Sequence, residues 1–313
     1  MTVAFTFPGQ GSQVVGMGKG LADAFLEARA VFAEVDDALG EKLSAIMWEG
    51  PAETLMLTEN AQPALMAVSL AAVRVLEKRG IGLKAKVAYV AGHSLGEYSA
   101  LAAAGTLKLA DTARLLRIRG RAMQAAVPVG VGAMAALIGL DLTAATEIAK
   151  DAAQGLVCDV ANDNGAGQVV VSGDRAAVER AVELAKARGA KRAVLLPVSA
   201  PFHCALMAPA AKVMEEALAA VEVTTPVVPL VANVVAGPIS DPGEIRRRLV
   251  EQVTSMVRWR ESIAWLATAG VGLFAEVGAG KVLSGLAKRI ADGAETLTIG
   301  APDDIDAAMA RLA

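Results

Sequence analysis

Residues 87–96 read Val-Ala-Tyr-Val-Ala-Gly-His-Ser-Leu-Gly, and this stretch decides the fold. Its first five residues are typical of a short buried strand. Glycines flank Ser94 at positions 92 and 96, and an alanine-rich helical stretch follows at once. A serine between two glycines at a strand-to-helix turn is held on a tight bend, with its hydroxyl lifted clear of the sheet. The stretch therefore predicts an α/β sheet and a nucleophile, Ser94.

Strands and helices alternate on both sides of this turn, which indicates a mainly parallel sheet covered by helices. We predict one large α/β domain from residues 1–125 and 200–313. Its predicted strands are 2–7, 87–91, 227–231 and 272–277, and its main predicted helices are 63–78, 107–126, 205–220, 244–257 and 261–269, with one more helix after residue 280.

The middle of the chain has a different pattern. Strand and helix signals follow each other in the order βαββαβ, which is the ferredoxin-like arrangement. The predicted strands are 132–140, 156–160, 168–172 and 192–198, and the predicted helices are 143–153 and 176–188. We predict that residues 126–199 form a compact inserted ferredoxin-like α+β subdomain.

Composition limits the possible functions. The chain has 313 residues, 54% of them hydrophobic but only 4% aromatic, which predicts a core of alanine, valine and leucine. A net charge of −3 argues against a nucleic-acid-binding protein. Apolar runs are interrupted well before the roughly 18 residues that a membrane span needs, so none is predicted. Residues 1–7 lack the basic region of a signal peptide. Two cysteines make no disulfide framework and have no metal-ligand spacing, so we predict a cytoplasmic protein without a metal.

A serine nucleophile needs a base, and the chain has only two histidines. His93 adjoins Ser94, and adjacent side chains diverge at a tight turn, so a structural role is favoured for it. His203 follows the last predicted strand of the insert and is the predicted base. The backbone N–H of Leu95 opens a helix and is placed to face an oxyanion. Cys204, beside His203, is a weak candidate for a second nucleophile, because buried cysteines are usually inert.

Five motifs, in order along nearly the whole chain, resemble the malonyl-CoA:acyl carrier protein transacylases of fatty acid synthesis. The resemblance implies a hydrolase-like core that carries a ferredoxin-like subdomain, with the active site between them. The motifs are Phe-Pro-Gly-Gln-Gly-Ser-Gln at 7–13, Gly-His-Ser-Leu-Gly-Glu at 92–97, Arg-Gly-Arg at 119–121, Gln-Val-Val-Val-Ser-Gly at 168–173 and Pro-Phe-His at 201–203.

The resemblance also implies roles for single residues. Ser94 and His203 are the nucleophile and its base, and Gln10 lines the oxyanion pocket beside the N–H of Leu95. Arg119 binds the free carboxylate of a malonyl group, because a planar guanidinium holds a carboxylate through two parallel hydrogen bonds. On local sequence alone, Arg119 is one of several arginines on an exposed helical face.

Further residues are placed around the site by the same resemblance. Gln252 lies near His203, whose second ring nitrogen is oriented by a backbone carbonyl. Phe202 resembles the pattern that selects malonyl over branched groups. The other residues expected to line the site are Asn162, Asn233 and His93.

The implied reaction has two half-reactions, from malonyl-CoA to Ser94 and from there to the phosphopantetheine thiol of an acyl carrier protein. Coenzyme A enters as the substrate's thioester, no cofactor is expected, and a monomer is predicted. Acyl carrier proteins are acidic, so a basic surface is expected to receive one. The candidates are Lys186, Arg188, Lys191, Arg192, Lys281, Lys288 and Arg289, although each also fits scattered solubilising charge.

Three alternatives remain open. A serine esterase or thioesterase shares the turn, but such enzymes usually have a histidine late in the chain, and none follows His203. A non-catalytic docking module would need none of the polar residues above. An acyltransferase of polyketide assembly or malonate decarboxylation would share all of them.

Overall fold

The computed structural model describes residues 1–312, which form ten strands in two sheets. The strands are β1 (Thr2–Phe7), β2 (Tyr89–Gly92), β3 (Gly132–Ile138), β4 (Cys158–Asp163), β5 (Gln168–Asp174), β6 (Arg192–Leu195), β7 (Leu230–Ala232), β8 (Gly237–Ile239), β9 (Val271–Val277) and β10 (Glu295–Ile299). The helices are α1 (Lys19–Ala24), α2 (Leu26–Leu39), α3 (Leu43–Glu49), α4 (Ala52–Met56), α5 (Thr58–Lys78), α6 (Leu83–Lys86), α7 (Gly96–Ala103), α8 (Leu109–Ala126), α9 (Leu142–Ala153), α10 (Arg175–Ala187), α11 (Ala208–Ala219), α12 (Pro242–Gln252), α13 (Trp259–Thr268), α14 (Val282–Ile290) and α15 (Pro302–Leu312).

The larger sheet has six strands in the order β10-β9-β1-β2-β7-β8, and every pair except β7–β8 is parallel. Side chains of β1 alternate between two apolar layers. Phe5 and Phe7 pack on the side that includes α5, while Ala4 packs on the side that includes α13 and α14. Because both faces are covered, this is the mainly parallel α/β sheet that the sequence predicts. The carboxyl ends of β1 and β2 lie side by side, with Phe7 opposite Gly92.

The smaller sheet has four antiparallel strands in the order β4-β5-β3-β6. Together with α9 and α10 it has the βαββαβ order of the ferredoxin-like pattern. It has a hydrophobic core of its own, which includes Leu137, Ile148, Val171 and Val178. The predicted antiparallel second sheet is therefore confirmed, whereas its exact boundaries at residues 126 and 199 stay a prediction.

Helix α5 begins at Thr58, one turn before the predicted start at Pro63. Its first turn is closed by the N–H of Ala61, which donates to the carbonyl of Leu57 over 2.8 Å. Pro63 stands inside the helix, although it lacks the N–H that would pair with the preceding turn. Residues 60–73 are all buried, so packing keeps the helix continuous through the proline.

The helix predicted at residues 244–257 ends at Gln252. Val257 instead forms a parallel bridge with Asn162 of β4, and its backbone exchanges hydrogen bonds of 2.9 and 3.0 Å with Ala161 and Asp163. This contact ties the segment after α12 to the smaller sheet. The sequence analysis also missed β8, β10, α15 and the short helices α3 and α4.

Within residues 1–312, no helix combines the length and the apolar character that crossing a membrane requires.

Candidate active site

Ser94 stands on a turn that only glycine neighbours permit. Its φ of 53° lies in the left-handed region, which side-chain-bearing residues rarely adopt. A Cβ on Gly92 would lie 1.9 Å from the carbonyl of Gly96, and one on Gly96 would lie 2.2 Å from the oxygen of Phe7. The two glycines therefore let α7 begin directly against the ends of β1 and β2. This packing holds Ser94 at the carboxyl edge of the larger sheet.

His203 lies within hydrogen-bonding distance of Ser94. The Ser94 Oγ and the His203 Nε2 are 2.7 Å apart, and the Nδ1 lies 2.9 Å from the carbonyl oxygen of Gln252. A carbonyl only accepts, so Nδ1 carries the proton and Nε2 is free to accept from the serine. Burial, with the positive charge of Arg119 second, lowers the pKa of His203 to about 3. The imidazole is therefore neutral near pH 7, as a general base must be.

Arg119 is buried, with an exposed fraction of 1%, so the exposed-face interpretation of its local sequence is wrong. Its Nη1 donates to Gln62 Oε1 over 2.7 Å. Its Nη2 donates to Gln252 Oε1 over 2.8 Å and to Ser94 Oγ over 3.2 Å. Its Nε is buried without an acceptor among residues 1–312, and its charged end lies 5.7 Å from the centre of the Tyr98 ring. A buried cation that is surrounded by amides and has an N–H donor without an acceptor is suited to binding an anion.

A buried amide network lies beneath the turn. Gln252 Nε2 donates to the carbonyl of Ser94 over 2.9 Å and to the Glu97 carboxyl group. Asn233 accepts from the N–H of Ser94 over 2.8 Å and donates to the carbonyl of Gly92 over 2.7 Å. Gln252 and Asn233 are both fully buried, so they lie behind the turn and support it.

Glu97 is the functional residue that the sequence analysis missed most plainly. Its carboxyl group accepts from the N–H of Asn233 as well as from Gln252, and it is 1% exposed. Burial raises the pKa of Glu97 to about 7, against hydrogen bonds and the charge of Arg119, which act to lower it. Glu97 closes the Gly-His-Ser-Leu-Gly-Glu motif, which was the only signal for it in the sequence.

Two backbone donors are free beside the nucleophile. Within residues 1–312, no acceptor lies in hydrogen-bonding distance of the backbone N–H of Leu95 or of Gln10. Both residues line the same cleft as Ser94. The Gln10 side chain is fixed by the hydroxyl of Thr58, which donates to its Oε1 over 2.9 Å.

The cleft has a volume of about 460 Å³ and lies between the two sheets. Phe202, Asn162 and His93 line it, and Ser94, His203 and Arg119 meet in it, whereas Gln252 and Asn233 are not among its lining residues. His93 is held by Asn164, 2.9 Å from its Nε2. Other lining residues come from both halves of the molecule and include Met56, Gln62, Met123, Met134, Leu196 and Val198.

Cys204 is fully buried and takes no part in the lining of the cleft. Its Sγ lies 3.1 Å from the carbonyl of Pro201, and burial raises the thiol's pKa to about 11. A thiol in this state is a poor nucleophile. Across residues 1–312, no group of three or more histidine, cysteine, aspartate or glutamate side chains is placed to hold a metal ion.

Comparison with known proteins agrees with this geometry. A model of the acyl transferase domain matches residues 4–298. The malonyl CoA-acyl carrier protein transacylase of Bacillus subtilis (strain 168) is 45% identical over 311 residues, which cover 99% of this chain and 97% of the relative. The crystal structure of an acyl-carrier-protein-S-malonyltransferase from Bartonella henselae superposes with a TM-score of 0.98 at 61% identity, covering 100% of this chain and 99% of that one. A malonyl-transacylase in complex with its type II PKS acyl-carrier protein gives a TM-score of 0.96 at 42% identity, covering 99% of this chain and 100% of that one.

Proposed function

The chain belongs to the acyl transferase family, and from that premise we propose that it moves a malonyl group from malonyl-CoA to an acyl carrier protein. The observation that carries this proposal is one cleft in which a serine, a neutral histidine and a buried arginine meet. The first two are the parts of an acyl-transfer site, and the third selects the acyl group. We propose that the carrier is that of fatty acid synthesis, and that the enzyme acts in the cytoplasm as a monomer.

In the first half-reaction, Ser94 Oγ attacks the thioester carbonyl while His203 Nε2 takes its proton. The carbonyl of Gln252 holds the ring so that Nε2 faces the serine. The backbone N–H groups of Leu95 and Gln10, which line the cleft and have no acceptor among residues 1–312, stabilise the oxyanion as it forms. Collapse of the tetrahedral intermediate expels coenzyme A, which leaves with the proton held by His203.

Arg119 selects the acyl group by its charge. In the free enzyme one Nη2 hydrogen contacts Ser94 Oγ, and the Nε hydrogen has no acceptor among residues 1–312. Once Ser94 carries an ester, its oxygen is a poorer acceptor, and these donors are available to the distal carboxylate of the malonyl group. An acetyl group has no carboxylate, so these buried donors stay without an acceptor.

In the second half-reaction, the phosphopantetheine thiol of the carrier attacks the malonyl-serine ester. His203 deprotonates the thiol and returns the proton to Ser94, which regenerates the free enzyme. The cleft is open between the two sheets, and its methionine, leucine and valine side chains give a flexible apolar wall for the thioester arm.

Intact-protein mass spectrometry after brief mixing with malonyl-CoA, methylmalonyl-CoA or acetyl-CoA tests the proposal. We expect a malonyl adduct on Ser94, none on Ser94→Ala, and loss of the adduct when a carrier with its phosphopantetheine arm is added. Discharge to water alone would favour the thioesterase alternative. The absence of an adduct with every donor would favour the docking module.

A further inference from the structure

A row of hydrogen bonds leads from Arg119 to the other end of the site. Arg119 Nη1 donates to Gln62 Oε1 over 2.7 Å, and Gln62 Nε2 lies 2.8 Å from the Thr58 hydroxyl. That hydroxyl lies 2.9 Å from Gln10 Oε1. The row therefore joins the buried cation to a side chain that lines the cleft beside Ser94.

The chemistry of the groups gives this row a single direction. An arginine only donates, so the end of the Gln62 amide that faces it must be the oxygen. The nitrogen of Gln62 then donates to Thr58, whose hydroxyl oxygen accepts. The Thr58 hydrogen is left to donate, and it points to the Oε1 of Gln10, 2.9 Å away. The Nε2 of Gln10 has no acceptor among residues 1–312 and is the end left for the cleft.

Burial shields the inner part of the row. Thr58 and Gln62 are each 1% exposed, so bulk water does not reach the hydrogen bond between them, whereas Gln10 at the end of the row is exposed and depends on Thr58 for its orientation. Helix α8, which carries Arg119, approaches the start of α5 so closely that a Cβ on Gly120 would lie 2.5 Å from the Cα of Glu59. This contact sets the distance between the arginine and the glutamine.

We infer that Thr58 and Gln62 are positioning residues that hold the Gln10 amide with its Nε2 toward the reacting carbonyl, as a side-chain donor to the oxyanion. The inference rests on the proposed function for the identity of the acyl group, but not for the orientation of the amide. It also links the two ends of the substrate site, because the cation that binds the carboxylate is the first donor of the row. Thr58 touches no substrate and acts through Gln10.

The test is the rate of Ser94 acylation in single turnovers with Thr58→Val, which keeps the shape of the side chain and removes the hydroxyl. Removal of an oxyanion donor costs 10²–10³ in rate, so we expect a disordered donor to cost roughly tenfold, with little change in the KM for malonyl-CoA. Thr58→Ser keeps the hydroxyl and should stay near the wild-type rate. Thr112→Val is the matched control, since Thr112 is also buried but its hydroxyl donates to the carbonyl of Lys108, the residue that precedes α8.

Repeating the measurement in the Gln10→Ala variant distinguishes a positioning role of Thr58 from a general loss of stability. In Gln10→Ala, the further change Thr58→Val should slow acylation no more, because Thr58 acts through the missing amide. Equal slowing in both backgrounds, or a wild-type rate for Thr58→Val, would overturn the inference. If Thr58→Val is poorly folded by circular dichroism, Thr58→Ala replaces it in the same comparison.

The same variants are to be tested with an alkyl fluorophosphonate, which also needs the oxyanion donors but carries no malonyl group. A wild-type enzyme that reacts with this probe and not with malonyl-CoA contradicts the proposed function alone. Loss of the Thr58 effect with the probe contradicts the positioning role alone.

Discussion

Arg119 is a buried cation whose hydrogen-bond partners are two amides and a hydroxyl, with no carboxylate among them. Arg119→Ala should therefore weaken malonyl transfer by roughly 100-fold or more, since about two charge-assisted hydrogen bonds are lost at about 1.5–3 kcal/mol each. Neutral acyl groups should then compete. The measurement is the ratio of malonyl to acetyl adducts on Ser94 when both donors are present.

Arg121→Ala is the matched control for that measurement. Arg121 lies two residues away on the same helix, but it is exposed and pairs with Glu59. Its removal should leave the malonyl preference unchanged. If Arg119→Ala keeps the same preference as Arg121→Ala, the carboxylate-binding role is wrong.

Glu97 couples the site to pH. Its pKa is raised from 4.5 to about 7 in the folded state, chiefly by burial. The stability linked to its protonated form is therefore complete below about pH 4.5 and is lost as the pH rises through 7. The side chain of Glu97→Gln does not titrate. The wild type should therefore lose up to ~3 kcal/mol of unfolding free energy relative to this variant as the pH rises from about 4.5 to 8.

Urea unfolding of both proteins at several pH values measures this difference. The comparison removes the contributions of His93 and His203, whose lowered pKa values act in the opposite direction in both proteins. Glu97→Gln also alters the hydrogen bond to Gln252, but that cost is constant with pH. A difference between the proteins that does not change with pH would show that Glu97 is ionised in the folded state.

At the scale of elements, two helical glycines have opposite roles. Gly96 opens α7 where a Cβ would meet the backbone of Phe7 at 2.2 Å, and no flexible side chain is there to yield. Gly285 lies inside α14 with nothing within 4 Å of its Cβ position. Gly96→Ala should lower the free energy of unfolding by several kcal/mol or prevent folding, whereas Gly285→Ala should raise it by about 0.5–1 kcal/mol. Thermal unfolding of the pair checks both signs, and a stable Gly96→Ala would contradict the tight packing at the turn.

The elements that the sequence predicts correctly are those fixed by neighbouring residues, and the errors lie where distant contacts decide. The strand, turn and helix around Ser94 follow from glycine and alanine positions within a few residues of each other. Helix α12 ends at Gln252, earlier than its sequence predicts, because the segment that follows leads to Val257, which pairs with Asn162, a partner far away in the sequence. The start of α5 was misplaced because burial, not local propensity, carries the helix through Pro63.

Within the candidate site, the proposed nucleophile and base are easier to predict from the sequence than the residues that support them. The turn marks Ser94, and the scarcity of histidines leaves His203. Thr58, Gln62 and Glu97 have no local signal, since their roles come from contacts with residues on other elements. The role of Arg119 is predicted only through the family resemblance, because its burial depends on how α8 packs against α5 and α7.

At the scale of the whole molecule, the cleft lies at the junction of the two sheets and takes lining residues from both. Leu196 and Val198, which line it, follow directly after β6, whose first residue is Arg192. On the other side, a Cβ on Gly280 would lie 3.2 Å from Ser12, in the loop that also supplies Gln10 and Gln13 to the cleft. Lys281 is the next residue and is exposed. Arg192 and Lys281 are thus exposed cations on two segments that lead to the lining of the cleft.

Ion pairing divides the candidate residues for carrier docking. Lys186 and Arg188 are paired with Glu183 and Asp151 on the surface of the smaller sheet's helices. In residues 1–312, Lys191, Arg192, Lys281, Lys288 and Arg289 are exposed and form no ion pair. These five are the stronger candidates, because a free cation near the cleft attracts an acidic carrier at long range.

Reversal of these charges should act on the second half-reaction alone. We expect Arg192→Glu with Lys281→Glu to slow discharge of malonyl-Ser94 to the carrier by about tenfold at low salt, and less as salt screens the charges. Acylation by malonyl-CoA should change much less, since Ser94, His203 and Arg119 are untouched. Lys84→Glu with Lys86→Glu is the control: both residues are exposed but precede β2, so they lie at the edge of the sheet opposite to the site. Discharge of malonyl-Ser94 is measured by rapid-quench kinetics at low salt. Equal discharge rates for the two double variants would mean that the carrier docks elsewhere.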